Sequence, residues 1–433
     1  MKGFKKFALP FMAASLAFAS VGCSDSEGGV SGETAELTSQ EVALTAADVP
    51  TISEADMKRF GDNLNAFSHD LEQAVGKSKS YVFSAFSYHS ALSMTSFGAK
   101  GTTYDEMAAT LHLEGNKNEA AALNGGMRLK LRYDGQAEKS KFEIANRIWV
   151  DKSSEIVPTF TEAMDNYYKA PLKVVDFKND YKKYVGVINT WVSNNTGEMI
   201  KDLLHEGDIT ADTRMVLVNA IHFDGEWAFE FEANNTSDAE FKTGDAVKNV
   251  KMMHLGAHMI SYYRSEDNKY QAAAMDYKGG QFAMMIVLPD DVDGIKAVSS
   301  TLNAAEIRKI QEGLAMHHGT ISMPKFKIET EIDGETNVAA FKSLGMVKAF
   351  EDADFSDMIS NQSVAISKII HKAVIEVDEK GTKAAAATAV MVSETASMPP
   401  EDFIDFIADH PFEFILYHKA SGTVLFSGQY WGE

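Results

Sequence analysis

Cysteine occurs once in this chain of 433 residues, at Cys23. No intrachain disulfide can form, and a cysteine-rich zinc site is excluded. Basic residues are in the minority, with 41 Lys and Arg against 62 Asp and Glu and a formal net charge of -21. A nucleic-acid partner is therefore not expected, because phosphate binding needs a concentrated basic surface. The cluster Arg128, Lys130, Arg132, Lys139 and Lys141 is the nearest approach to one. Asp134 and Glu138 interrupt it, so it reads as a solvated helix-and-turn surface. Signatures of catalysis are missing as well: there is no GxSxG, HExxH, Walker-type loop or GxGxxG. His317 and His318 are adjacent rather than helically spaced, which suits a loop better than a metal site, and no cofactor is implied. No proline- or serine-rich tract, low-complexity run or repeat interrupts residues 51 to 433. Strand-like and helix-like segments are mixed throughout, so a single α+β domain is the simplest reading.

The apolar stretch from Phe7 to Val21 is too short to span a bilayer, but it follows Lys2, Lys5 and Lys6 as the core of a secretion signal would. Export is expected, with residues 1 to 22 as signal peptide. Ser20, Val21, Gly22 and Cys23 then resemble a bacterial lipobox, in which the cysteine carries the lipid and becomes the first mature residue. Ordinary cleavage after Ala17, Phe18 and Ala19 is the competing reading and leaves Cys23 as a free thiol. The lipid reading places the protein in a bacterial cell envelope, membrane-anchored and either periplasmic or surface-exposed. Residues 23 to 50, with Ser, Gly, Glu, Thr and Asp among alanines, read as a tether, with a short helix over 41 to 47 as the alternative.

The most informative segment runs from His371 to Val390. Ala373, Ile375 and Val377 alternate with Lys372, Val374, Glu376 and Asp378, the period of a β-strand. Beyond the charged Asp378, Glu379 and Lys380 and the permissive Gly381, every side chain from Ala384 to Val390 is small. Such a segment can enter a narrow gap between strands at little steric cost, and Thr and Val tolerate extended geometry. From composition alone, an alanine helix or a surface linker is the alternative.

This block resembles the reactive-loop hinge of the serpins, VxEKGTxAAAAT, which comes after the fifth strand of their main sheet. Other stretches are similar to serpin blocks in the same order: Tyr81 to Met107, ANRIWVD from Ala145, INTWVSNNTGEMIKDLL from Ile188 and VLVNAIHFDGEW from Val216. MMIVLPD from Met284, MPKFKIET from Met323, ADHPFEF from Ala408 and TVLFSGQ near the carboxyl end complete the series. The resemblance implies the serpin fold over residues 51 to 433: three β-sheets surrounded by about nine helices, with an exposed reactive-centre loop over about 379 to 402. It also implies a metastable monomeric inhibitor of serine proteases, with some cysteine proteases a further target class. The protein would act as a suicide substrate: the protease cuts the loop, and the acyl-enzyme is trapped as the loop inserts into the main sheet. A serpin-fold binding or chaperone-like protein, whose loop is cut without trapping, is the alternative function.

Matched to the family, Glu379 and Lys325 form an ion pair at the entry to the sheet, and Trp227 covers the gap there. Ser84, Ser87, Asn219 and His371 form a polar cluster beneath the sheet centre. Where the family has Ser-Pro, this chain has Ser84-Ala85, which frees φ and adds a donor. The hinge comprises Glu379, Gly381, Thr382, Ala384, Ala385, Ala386, Ala387 and Thr388, and alternation puts Thr382, Ala384, Ala386 and Thr388 on the face to be buried. A charge or proline at Thr382 would block insertion; this hinge carries neither. The family's spacing places the scissile bond at Thr395-Ala396, which suits an elastase-like protease with a shallow pocket. Glu394, Met391 and Val392 are the alternatives, and the absence of Lys or Arg between Ala384 and Phe412 disfavours a trypsin-like target.

Overall fold

The computed structural model describes residues 37–38, 42–75, 79–137, 141–170, 172–382 and 402–433. Cys23, the hinge from Ala384 to Thr388 and the candidate scissile residues Met391, Val392, Glu394, Thr395 and Ala396 lie outside the described residues.

The amino-terminal third is mainly helical. Helix α1 (Glu54–Ala74) starts where Ser53 Oγ accepts the Asp56 amide at 3.1 Å, and it buries Phe60, Leu64, Phe67 and Leu71 at helical spacing. Strand β1 (Tyr81–Phe83) leads into α2 (Ala85–Phe97), where every residue from Ala85 to Ser96 is buried. Small hydroxyl-bearing residues on all sides of α2 let it run through the core, because Ser93, Thr95 and Ser96 return their hydroxyls to carbonyls of the preceding turn. Then come α3 (Gly101–Thr110), α4 (Lys117–Ala137), β2 (Lys141–Asp151), α5 (Pro158–Ala163), β3 (Lys173–Val175) and α6 (Phe177–Asn195).

Strands dominate the remainder: β4 (Met215–Glu226), β5 (Ser237–Thr243), β6 (Ala246–Ser265), β7 (Tyr270–Asp276) and β8 (Phe282–Pro289). After α7 (Ile295–Thr301) and α8 (Ala304–Gly313) come β9 (Ala315–Pro324), β10 (Phe326–Ile332), α9 (Gly334–Ser343) and β11 (His371–Val377). Last are β12 (Gly381–Thr382), β13 (Ile404–Ile407), β14 (Phe412–His418) and β15 (Thr423–Tyr430). Nine α-helices are thus present among the described residues.

The main sheet has the order β10-β11-β12-β4-β2-β3. One face packs on the central core, where Ile221, Phe223, Ala373 and Ile375 meet Phe83, Phe86 and Leu92. The other face is covered around its centre by α6, whose Ile188, Trp191 and Val192 share a cluster with Trp149, Val218 and Val374. Burial on both faces explains why Val374 is apolar on the face where Lys372 and Glu376 are polar. A second sheet, β1-β15-β14-β8-β7-β6, and a third, β5-β6-β9-β13, share the twenty-residue β6, so their hydrogen bonding is continuous.

Three sequence readings change. His317 and His318 lie in β9, opposite Ile260 and Met259 of β6, and not in a loop; neighbours in a strand face opposite sides, so they still cannot share a metal. Arg128 and Arg132 are buried rather than solvated. Arg128 donates to the Tyr168 carbonyl, Arg132 to the Val42 carbonyl at 2.8 Å, and Lys130 to Asp134 at 2.6 Å. These three cations are committed within the fold. Packing on the domain also begins before residue 51: Leu37 is buried in the α6 cluster, and the Leu44 amide donates to Gln136 Oε1 at 2.9 Å.

Candidate functional site

The end of the main sheet at which β11 stops is closed by the chain's own reversal. Asp378 makes the turn: its amide donates to the Gly381 carbonyl at 2.9 Å, and its Oδ1 accepts the amides of Lys380 at 2.9 Å and Gly381 at 3.3 Å. The chain then re-enters the sheet as β12, antiparallel to both neighbours, with Thr382 opposite Val377 of β11 and Gly225 of β4. Gly381 is required by proximity alone, since a Cβ there would lie 1.9 Å from the Gly225 carbonyl oxygen.

Thr382 is 2% exposed, and its hydroxyl lies 2.6 Å from the Tyr277 hydroxyl. Tyr277 stacks on Trp227 with ring centroids 4.5 Å apart and planes at 18°. Trp227 is fully buried, donates its indole N–H to the Asp378 carbonyl at 3.0 Å and its amide to the Lys380 carbonyl at 2.8 Å. It therefore grips the turn. Glu379 accepts from Lys325 Nζ and from Thr236 Oγ1, both at 2.9 Å. Burial pushes the Glu379 carboxyl up, but the hydrogen bonds from Lys325 and Thr236 outweigh it and hold it below the ordinary glutamate range.

Below Thr382, β11 and β4 run side by side without pairing among the described residues. Among the described residues no ladder joins β11 directly to β4; the two are bridged only by the two residues of β12. His371, at the start of β11, is 2% exposed and stacks on Tyr88 with centroids 4.4 Å apart. Its Nε2 has no hydrogen-bond partner among the described residues. Burial pushes its pKa down to about 3, so the ring is neutral at physiological pH. Ser84 Oγ donates to the Leu425 carbonyl at 2.7 Å and accepts the Ser87 amide at 3.2 Å, so it caps α2 and ties it to β15. Ser87 and His371 line a common cavity. Asn219 lies in β4 opposite Asn146 of β2.

The cluster includes residues that the sequence motifs did not single out. Tyr277 and Thr236 complete the entry, and Tyr88 donates to Asn337 Oδ1 at 2.5 Å while Asn337 Nδ2 donates to the Ile332 and Ile369 carbonyls at 3.0 and 2.8 Å. Only the adjacency of Tyr88 to Ser87 hinted at any of them.

The chain ends β11, reverses within three residues and pairs again as β12 between β11 and β4, an arrangement that sets apart the class of fold to which it belongs. The family is equally definite. The model described as Serpin (serine protease inhibitor) matches residues 62–432. Serpin B8 of Bos taurus is 34% identical over 373 residues, covering 84% of this chain and 96% of that one. The leukocyte elastase inhibitor of Bos taurus is 35% identical over 354 residues, covering 80% and 91%. Among solved structures, Serpin48 of the insect Tenebrio molitor superposes with a TM-score of 0.74 at 28% identity, covering 86% of this chain and 97% of that one. The chain belongs to the serpin family, whose model is described by serine protease inhibition and not by an enzyme activity.

Proposed function

We propose that this protein is a suicide inhibitor of serine proteases. The observation that carries the reading is the hinge itself: Gly381 and Thr382 already form a strand between β11 and β4, and among the described residues no ladder joins those two strands directly. The protease serine Oγ attacks the Thr395 carbonyl; the bond to the Ala396 nitrogen breaks, that amine takes up a proton, and the carboxyl of Thr395 is held as an ester to the enzyme. Insertion of the freed segment then drags the acylated protease along the sheet before water can hydrolyse the ester. Small residues at Thr395 and Ala396 suit an elastase-like pocket, and similarity to a leukocyte elastase inhibitor supports the same target class. The protein acts as a monomer, tethered to a bacterial envelope membrane by lipid on Cys23, with residues 1 to 22 removed on export.

The test is incubation with elastase-like, glutamate-specific, subtilisin-like and trypsin-like serine proteases, then denaturing gel and mass analysis. A denaturant-resistant complex cut after Thr395 is expected with the elastase-like enzyme. Clean cleavage with fully active protease across the panel would instead favour a serpin that binds without trapping.

A further inference from the structure

Ahead of α1, the chain is fastened at one end to α6 and the main sheet. Leu37 is buried in the cluster that α6 forms with β2, among Trp149, Val175 and Trp191. Its carbonyl accepts from Arg147 Nη1 of β2 at 2.5 Å, and the Arg147 guanidinium lies over the Trp191 ring of α6, with Cζ 4.3 Å from the centroid. One residue on, the Thr38 carbonyl accepts from Asn194 Nδ2 in the last turn of α6 at 2.8 Å.

The other end is fastened to α4. The Val42 carbonyl accepts from Arg132 at 2.8 Å, the Leu44 amide donates to Gln136 Oε1 at 2.9 Å, and Pro50 and Ile52 pack over Gly126. Helix α4 is in turn held to the second sheet, because Asp134 Oδ2 lies 3.1 Å from Nε2 of the fully buried His418 in β14. This anchorage lies outside the main sheet. Helix α6 is placed differently, for it covers Val218 of β4 and Val374 of β11 together. Those are the two strands between which β12 starts, so a strand continued from β12 would move both valines apart beneath α6. A close-packed contact of that kind cannot stretch; α6 has to lift or slide.

We propose that the segment carrying Leu37, Thr38, Val42 and Leu44 is a strap that pins α6 over β4 and β11 and so slows the addition of a strand between them. The effect on rate rests on the loop-insertion reading; the restraint on α6 does not. Leu37 is the pin, because its side chain is seated in the α6 cluster, whereas Val42 is 84% exposed and offers the strap only its backbone.

The test compares the full-length wild type with Leu37→Asp, Asn194→Ala and the control Val42→Asp. Leu37→Asp sets a carboxylate among apolar rings and expels the strap, whereas Val42→Asp adds the same charge to the same segment and keeps its bonds. Two quantities are measured: hydrogen exchange of the α6 amides in the uncut proteins, and the rate at which saturating inhibitor silences an elastase-like protease. Both are expected to rise several-fold in Leu37→Asp, less in Asn194→Ala and not at all in Val42→Asp. Exchange in α6 that is unchanged in Leu37→Asp, or raised equally in Val42→Asp, overturns the strap. Faster exchange with an unchanged silencing rate overturns its control of strand addition. A wild type that is cut without silencing the protease overturns the loop-insertion reading and the effect on rate with it, and exchange then decides the restraint on α6 by itself.

Discussion

The hydroxyls of Thr382 and Tyr277 lie 2.6 Å apart in a fully buried contact, tying the second residue of β12 to the turn at the end of β7. Replacing Thr382 by Val leaves the Tyr277 hydroxyl without that partner and is expected to cost about 1–3 kcal/mol in the uncut protein. Adding Tyr277→Phe should recover most of the loss, because removing both partners leaves no stranded donor. A double-mutant cycle from denaturant melts measures the coupling; additive losses would mean that the contact does not hold the hinge.

Charge at the same position acts on function more than on stability. Thr382→Arg is expected to expel the hinge, since it would force a guanidinium into a fully buried place beside the stacked rings of Tyr277 and Trp227. The protein should then be cut by a susceptible protease without forming a stable complex. Counting moles of inhibitor consumed per mole of protease silenced decides it.

At the entry, Lys325 and Glu379 form a half-exposed ion pair, for which about 0.2–1 kcal/mol is the expected coupling. The Glu379 carboxyl is held below its ordinary value, so its contribution is present above the unfolded glutamate pKa and is lost as pH falls through the lower folded one. Glu379→Gln should therefore flatten stability below about pH 4.5 without changing its slope near neutrality. A loss of slope at about pH 7 to 8 in that variant would contradict the assignment.

His371 acts over a higher window. Its folded pKa of about 3 is depressed below the ordinary value of 6.5, so between these values the unfolded chain binds the extra proton. Stability is full above about pH 6.5 and falls as the pH is lowered towards 3. Buried His89, pushed down to about 4 by burial, contributes in the same direction. His371→Phe keeps a ring against Tyr88 and should remove part of this acid sensitivity, read as Tm between about pH 4 and pH 7. An unchanged profile would assign the sensitivity elsewhere.

Ala85 is the first residue of α2, where its amide needs no helical partner and a proline's fixed φ is already helical. Ala85→Pro is expected to stabilise the protein by about 0.4–1 kcal/mol by restricting the unfolded chain. A destabilised variant would show that the buried ring clashes where the sequence resemblance says a proline belongs.

The sequence alone determined the class of fold, the strand that ends at Val377 and the small-residue character of the segment beyond Gly381, because alternation and side-chain size are local properties. It also brought Glu379, Lys325 and Trp227 to one place through resemblance, not through spacing, since 54 residues separate the ion pair. Tertiary structure alone decided the rest. Nothing in the composition of α4 says that Arg128 and Arg132 turn inward, because helix periodicity does not say which carbonyls wait beneath. His317 and His318 became strand residues through pairing with β6, a long-range contact that overrides two adjacent polar residues. The depth of Thr382 in the sheet, its bond to Tyr277, and the cavity below His371 depend on how far β4 and β11 stand apart. That separation is set by packing on α2 and α6 together, and no local stretch of sequence encodes it.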